Sequence, residues 1–166
     1  MKRGFDELEK RLVEEGRRCP PDFERMKALV MAGADVNACS DDFDEEQDTP
    51  LSLIYLGYLH DNIGENGRYL PELTRFFLEN GFDVHEDEGR HGAACLQNLT
   101  WSSYDQYILE AAKILLEAGA DPNVVLYGDE SALDWVSVKI SGSYVEHDED
   151  AVHLFEKMYD MMKEYV

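Results

Sequence analysis

The residues best suited to chemistry in this chain are its histidines and carboxylates. His85 and His91 flank Glu86, Asp87 and Glu88. Imidazoles and carboxylates of this kind could hold a divalent metal and activate water, as a metal-dependent hydrolase does. Their six-residue separation within a loop matches none of the usual zinc spacings. Asp42, Asp44, Glu46 and Asp48 alternate as in a calcium loop, but Gln47 stands where the sixth-position glycine belongs and Leu53 where the twelfth-position glutamate belongs. No glycine-rich phosphate loop and no serine elbow occur. Cys95 reads as a small buried hydrophobe rather than half of a dyad. The expectation is a non-catalytic protein without metal or cofactor.

Charge points the same way. The chain carries 36 acidic and 15 basic residues, a formal net charge of −21. Such a surface repels nucleic acid and anionic lipid and favours a basic protein partner, or serves solubility alone. Three cysteines, Cys19, Cys39 and Cys95, are odd in number and widely spaced, which predicts reduced thiols and a cytoplasmic setting. The basic residues Lys2 and Arg3 have no apolar run behind them, so no secretory signal is expected, and no stretch is long and apolar enough to span a membrane.

The elements that would position these groups are helices. Apolar residues at helical spacing predict helices over 5–15, 22–32, 70–80, 104–118 and 149–165. Shorter ones begin at Thr49-Pro50, near Gly92 and at Ser131. Thr49 serves as an N-cap with Pro50 in the first turn, and Ser102 or Ser103 can cap the helix over 104–118. Gly16, Gly33, Gly81 and Gly119 stop helices, and Val124 to Glu130 reads as a loop. The fold class is all-α, in one domain over 1–166.

One sentence recurs along the chain. Leu29-Val30-Met31-Ala32-Gly33-Ala34-Asp35-Val36-Asn37 and Leu115-Leu116-Glu117-Ala118-Gly119-Ala120-Asp121-Pro122-Asn123 are near copies, and Phe77-Leu78-Glu79-Asn80-Gly81-Phe82-Asp83-Val84-His85 is a looser one. With Thr49-Pro50-Leu51 in phase, the chain resembles an ankyrin-repeat protein, a divergent short array of the bacterial kind. The resemblance implies a solenoid of about four stacked helix pairs with protruding loops. Residues 1–33 form an N-terminal capping pair, 34–81 and 82–119 central repeats, and 120–166 a C-terminal capping repeat. The stops are 48 and 38 residues apart, against the family's 33, so the loops are enlarged. Ser52, Cys95 and Asp134 replace the family's histidine.

By the same resemblance, the loop positions Glu45, Glu46, Asp48, Glu88, His91, Tyr127 and Glu130, with Leu56, Leu99 and Val138 on the short helices, fall where ankyrin arrays touch partners. The expected function is a protein–protein interaction scaffold, steered toward a basic partner by an acidic loop ridge. A sharper form is an immunity protein that neutralises a basic toxin or nuclease. The hydrolase on the His85/His91 loop is the rival from another class, and a purely structural module the third reading.

Overall fold

The computed structural model describes residues 6–18, 20–39, 48–60, 67–101, 105–142 and 149–166. Among them are eight α-helices: α1 (Glu7–Gly16), α2 (Phe23–Met31), α3 (Pro50–His60), α4 (Leu70–Glu79), α5 (Arg90–Trp101), α6 (Gln106–Glu117), α7 (Ala132–Ser141) and α8 (Glu149–Lys163). One 3-10 turn, Gly67–Tyr69, leads into α4, and a small hairpin, β1 (Val125–Tyr127) with β2 (Glu130–Ser131), precedes α7. The chain is mostly helical, as its apolar periodicity requires. No described helix is long and apolar enough to cross a membrane.

Local chemistry explains the starts. The Asp6 carboxylate accepts from Leu8 N and Glu9 N at 2.9 and 3.0 Å, while Glu9 Oε2 accepts from Asp6 N at 2.9 Å, a reciprocal cap on α1. Thr49 Oγ1 accepts from Ser52 N at 3.3 Å, the expected cap on α3. At α6 the cap is Asp105, bonded to Tyr107 N and Ile108 N at 2.9 and 3.0 Å. The expected caps Ser102 and Ser103 lie outside the described residues. Ser131 and Asp134 cap α7 reciprocally. The two hydrogen bonds from Ser131 hold the Asp134 carboxyl below the usual carboxylate range.

The helices pack in two rows. In one, α1 meets α3, α3 meets α5 and α5 meets α7. In the other, α4 meets α6 and α6 meets α8, and α2 joins α4 through the Phe23 and Phe76 rings, 5.9 Å apart and edge-to-face. Between the rows lies a continuous core running from Leu12 and Met26 through Phe77, Leu96 and Leu115 to Met162. Neither row could bury its apolar stripe alone. Polar groups taken into this core are paired. Asn98 Nδ2 donates to the Ser52 carbonyl at 2.9 Å, tying α5 to α3, and Thr74 Oγ1, in contact with the Tyr55 hydroxyl, donates to the Leu70 carbonyl at 2.7 Å. Burial pushes the Tyr55 phenol well above its ordinary value. Glu15, 2% exposed, accepts from Asp22 N at 3.1 Å and meets Arg18 and Arg25 at 3.2 and 3.3 Å, fastening the α1–α2 connection.

The repeated sentence becomes a repeated turn. Gly33, Gly81 and Gly119 have φ of 105°, 96° and 99°, a backbone conformation open to glycine at little cost. In each copy the glycine N–H bonds back three residues and the next N–H five residues: Ala34 N to Leu29 O, Phe82 N to Phe77 O and Ala120 N to Leu115 O, at 3.1, 2.9 and 3.0 Å. In each, the following aspartate folds the chain again, accepting at 2.8–2.9 Å from the backbone N–H two residues on. Successive turns also touch. Asn37 Nδ2 donates to the Gly81 carbonyl and Asn37 Oδ1 accepts from Asp83 N, both at 2.9 Å. His85 holds the corresponding place against Gly119, where a Cβ would lie 2.8 Å from the ring. Asn37→Ala removes both bonds between the first two turns. It is expected to lower the unfolding free energy by about 1–3 kcal/mol in urea denaturation; a change below about 0.5 kcal/mol would show the clasp to be replaceable by water.

One expectation is corrected, and two glycines gain a tertiary reason. Gly16 ends α1 as expected, though not through a positive φ. It is the last residue of that helix, and its Cβ position lies 2.8 Å from the Pro50 carbonyl oxygen, so glycine is required by the approach of α1 to α3. The helix expected near Gly92 is present and begins at Arg90; Gly92 itself is pressed against Val84 O, where a Cβ would sit at 2.8 Å. The stretch Val124 to Glu130 is not merely a loop, because β1 and β2 pair antiparallel across Gly128 and Asp129. A glycine-first two-residue turn is a hairpin signal that the sequence does carry.

Candidate functional site

The three turns form a row along one edge of the stack, each in contact with the next. Each turn carries its aspartate, Asp35, Asp83 and Asp121, at the same position. All three are exposed, as are Glu86, Asp87, Glu88 and Asp129. Asp87 and Glu88 adopt φ of 53° and 59°, a left-handed pair that carries the second turn outward before α5 begins. Repetition of one turn in register, with longer acidic excursions on it, makes this edge strongly negative. Among the described residues no arginine or lysine forms an ion pair with these turn carboxylates.

The expected contact residues divide on this frame. Glu45 and Glu46 lie outside the described residues. Asp48 is half-buried and accepts from Ser52 Oγ at 3.2 Å at the start of α3. Leu56 is half-buried on α3, Glu88 exposed, and Glu130 half-buried in β2. Tyr127 falls in β1, its side chain outside the described residues. Val138 is 40% exposed on α7. His91 and Leu99 are not surface contacts: they are 3% and 1% exposed. From His91 to Thr100 every residue of α5 is buried, because α3 and α7 flank the helix and α6 and β1 pack on it. Its face is therefore not available for the partner contact through Leu99 that the resemblance implied.

His85 and His91 have separate surroundings. The His85 ring lies on Gly119, whereas the His91 ring stacks on Phe82, centroids 6.4 Å apart and 19° from parallel. His91 Nε2 is 3.4 Å from Cys39 Sγ. Its Nδ1 has no hydrogen-bond partner among the described residues and lies 4.0 Å from Glu86 Oε2. Among the described residues no group of three histidines, cysteines or carboxylates is placed to hold a metal ion.

Burial lowers the His91 pKa from its ordinary value, with Glu86, Asp87, Asp83 and Asp35 opposing the shift. The folded chain then binds the proton less readily than the unfolded one. This histidine costs no stability above pH ~6.5, and stability is lost as pH falls from there through the lowered folded value. Urea unfolding between pH 7 and 5 checks this. The wild type is expected to lose stability more steeply than His91→Gln, and parallel slopes would assign the loss to the carboxylates instead.

Two features had no reading in the sequence. Cys39 is brought to His91 across 52 positions, a contact that no spacing rule predicts. Trp101 and Trp135 meet edge-to-face at 5.6 Å where α5 meets α7. Beside them Lys139 Nζ donates to the Thr100 carbonyl and lies 5.0 Å from the centre of the Phe155 ring. Burial lowers the Lys139 ammonium to about 8. Helical spacing along α7 and α5 offered a partial signal here, since 135 and 139, like 97 and 101, lie on one helical face. Cys95 is fully buried in α5, its thiol pushed up by burial and by Asp48. A groove of about 430 Å³ between α7 and α8 is lined by Ser137, Ile140, Ser141, Glu156, Tyr159 and Asp160.

No protein-family model matches the chain, and its sequence has no significant match among curated proteins.

Proposed function

We propose that this chain is a short ankyrin-like array that works as a non-catalytic scaffold for binding a basic protein. The observation that carries the reading is the row of three turns with the same backbone bonding pattern, Gly33 to Asn37, Gly81 to His85 and Gly119 to Asn123, each presenting an exposed aspartate on one edge. A stack built of like units, each covering the next, has an extended edge on which loop side chains are free to vary without disturbing the core. The formal charge of −21 makes a basic partner the complementary one. The contact surface consists of the turn carboxylates with Glu86, Glu88 and Glu130 and, on α7, Val138. Leu99 and His91 support it from within.

Capture from the source cell's own extract at low and high salt tests the reading. A basic protein is expected to be retained at low ionic strength and released as salt screens the edge. Reversing two exposed charges together, Glu86→Lys with Glu88→Lys, is expected to weaken that complex about tenfold or more, chiefly through slower association. A partner held equally well at both salt concentrations and by the reversed variant would rule out the acidic edge as the binding surface.

A further inference from the structure

We propose that Cys39 is a modification site whose thiol passes its proton to His91 while attacking a disulfide, and that small positively charged disulfides are its preferred reagents. Cys39 sits two residues beyond the first Asp-x-Asn turn and is half-buried. Its Sγ lies 3.4 Å from His91 Nε2 and 3.5 Å from the Asn37 carbonyl oxygen, so the ring and a backbone oxygen both stand within reach of its proton. The imidazole is held in place, 3% exposed and stacked on Phe82. Its other nitrogen has no hydrogen-bond partner among the described residues and faces Glu86 Oε2 at 4.0 Å. Buried polar nitrogens in folded proteins are nearly always paired, so this one calls for an explanation. A ring with one nitrogen on a thiol and the other toward a carboxylate has the order nucleophile, base, orienting acid. With the ring proton on Nδ1, Nε2 is free to accept from sulfur, and the Glu86 charge stabilises the imidazolium as it forms.

The step balances without a further redox partner. The Sγ–H bond breaks and its proton moves to His91 Nε2. The sulfur electron pair forms a bond to one sulfur of R–S–S–R, and the S–S bond breaks. The departing R–S⁻ takes the proton from His91, leaving Cys39–S–S–R and R–SH. The charge preference follows from the surroundings. Asp35 on the first turn and Asp83, Glu86 and Asp87 on the second act on His91 through space, and all four are exposed. Their field draws a cationic reagent in and repels an anionic one. Cys95 lacks these features, being completely buried in α5. This inference does not depend on the scaffold reading.

The test uses the full reduced chain at pH 7 and low salt, offered cystamine, 2-hydroxyethyl disulfide or dithiodiglycolate. Mass spectrometry of the intact chain and of its peptides reads the rate and the position. Cys39 is expected to react before Cys19 and Cys95. Cystamine should outrun the dianionic disulfide by about tenfold or more, and the gap should shrink in 1 M salt, where the screening length is only ~3 Å. His91→Gln should slow the cystamine reaction about tenfold or more. It should also remove the rise in rate below pH ~6.5 that accompanies loss of the imidazole proton. Because His91 is in the core, the surface variant Glu86→Gln provides a second arm and is expected to slow cystamine severalfold while leaving the fold intact. First labelling at Cys19 or Cys95, equal rates for the three reagents, or unchanged rate and pH profile in both variants would overturn the proposal.

Discussion

Phe77→Ala is expected to lower the unfolding free energy by about 3–5 kcal/mol, the largest effect of any single truncation in the repeated turns. Phe77 is fully buried on α4, its ring 6.2 Å from that of Phe76, which in turn meets Phe23 of α2. Its backbone carbonyl closes the second turn on Phe82 N at 2.9 Å. That bond survives the substitution, so the loss isolates the packing of the side chain. The same structural position is held by Leu29 in the first turn, 6% exposed, and by Leu115 in the third, 0% exposed. Leu115→Ala should cost about 2–5 kcal/mol and Leu29→Ala less, because among the described residues the first pair is packed on one side only and can relax into its cavity. Urea denaturation of the three variants under one set of conditions checks the order. A Leu29→Ala loss as large as that of Phe77→Ala would contradict a stack whose end is less constrained than its middle.

The second large effect is a difference between two glycines that look alike in sequence. Gly33 and Gly119 both adopt positive φ, 105° and 99°, and alanine in such a conformation costs about 1–2 kcal/mol. A Cβ on Gly33 meets nothing within 4 Å, whereas one on Gly119 lies 2.8 Å from Cε1 and Nε2 of His85. Gly33→Ala should therefore show the backbone cost alone. Gly119→Ala should show that cost plus the displacement of the histidine ring, a total of about 2–4 kcal/mol. Removing the obstacle separates the two terms. In the His85→Ala background, Gly119→Ala should cost no more than Gly33→Ala does in the wild type, a coupling of about 1–2 kcal/mol between neighbours in contact. Additive losses from His85→Ala and Gly119→Ala would mean that the ring moves aside freely and that His85 is not the clasp of the third turn.

Much of this architecture was open to reading because its causes are local. The three turns follow from glycine at a positive-φ position and aspartate two residues later. The helices follow from apolar periodicity, and most of their boundaries from caps such as Thr49 and Ser131. These effects act within a few residues, so the order of residues determines them. Even the hairpin at Gly128 had its signal in the two-residue turn.

The identity of the surface was a different matter. His91 belongs to an acidic run, Glu86 to His91, and by its neighbours in sequence reads as a loop tip. It became a core residue because Phe82 folds back onto it from the start of the second turn and Cys39 reaches it from beyond the first. Leu99 has the spacing of a short helix with one open face, yet α5 is enclosed between α3 and α7 and covered by α6 and β1, leaving no such face along most of its length. Gly16 and Gly92 read as a stop and a start, and are glycines because Pro50 and Val84 approach them from elsewhere in the chain. The sequence by itself determined the helices, the repeated turn and the negative charge of this protein, since each depends on residue types within one or two turns. Only the tertiary structure decided which of those residues face a partner and which face each other, because burial and close approach depend on elements tens of residues apart.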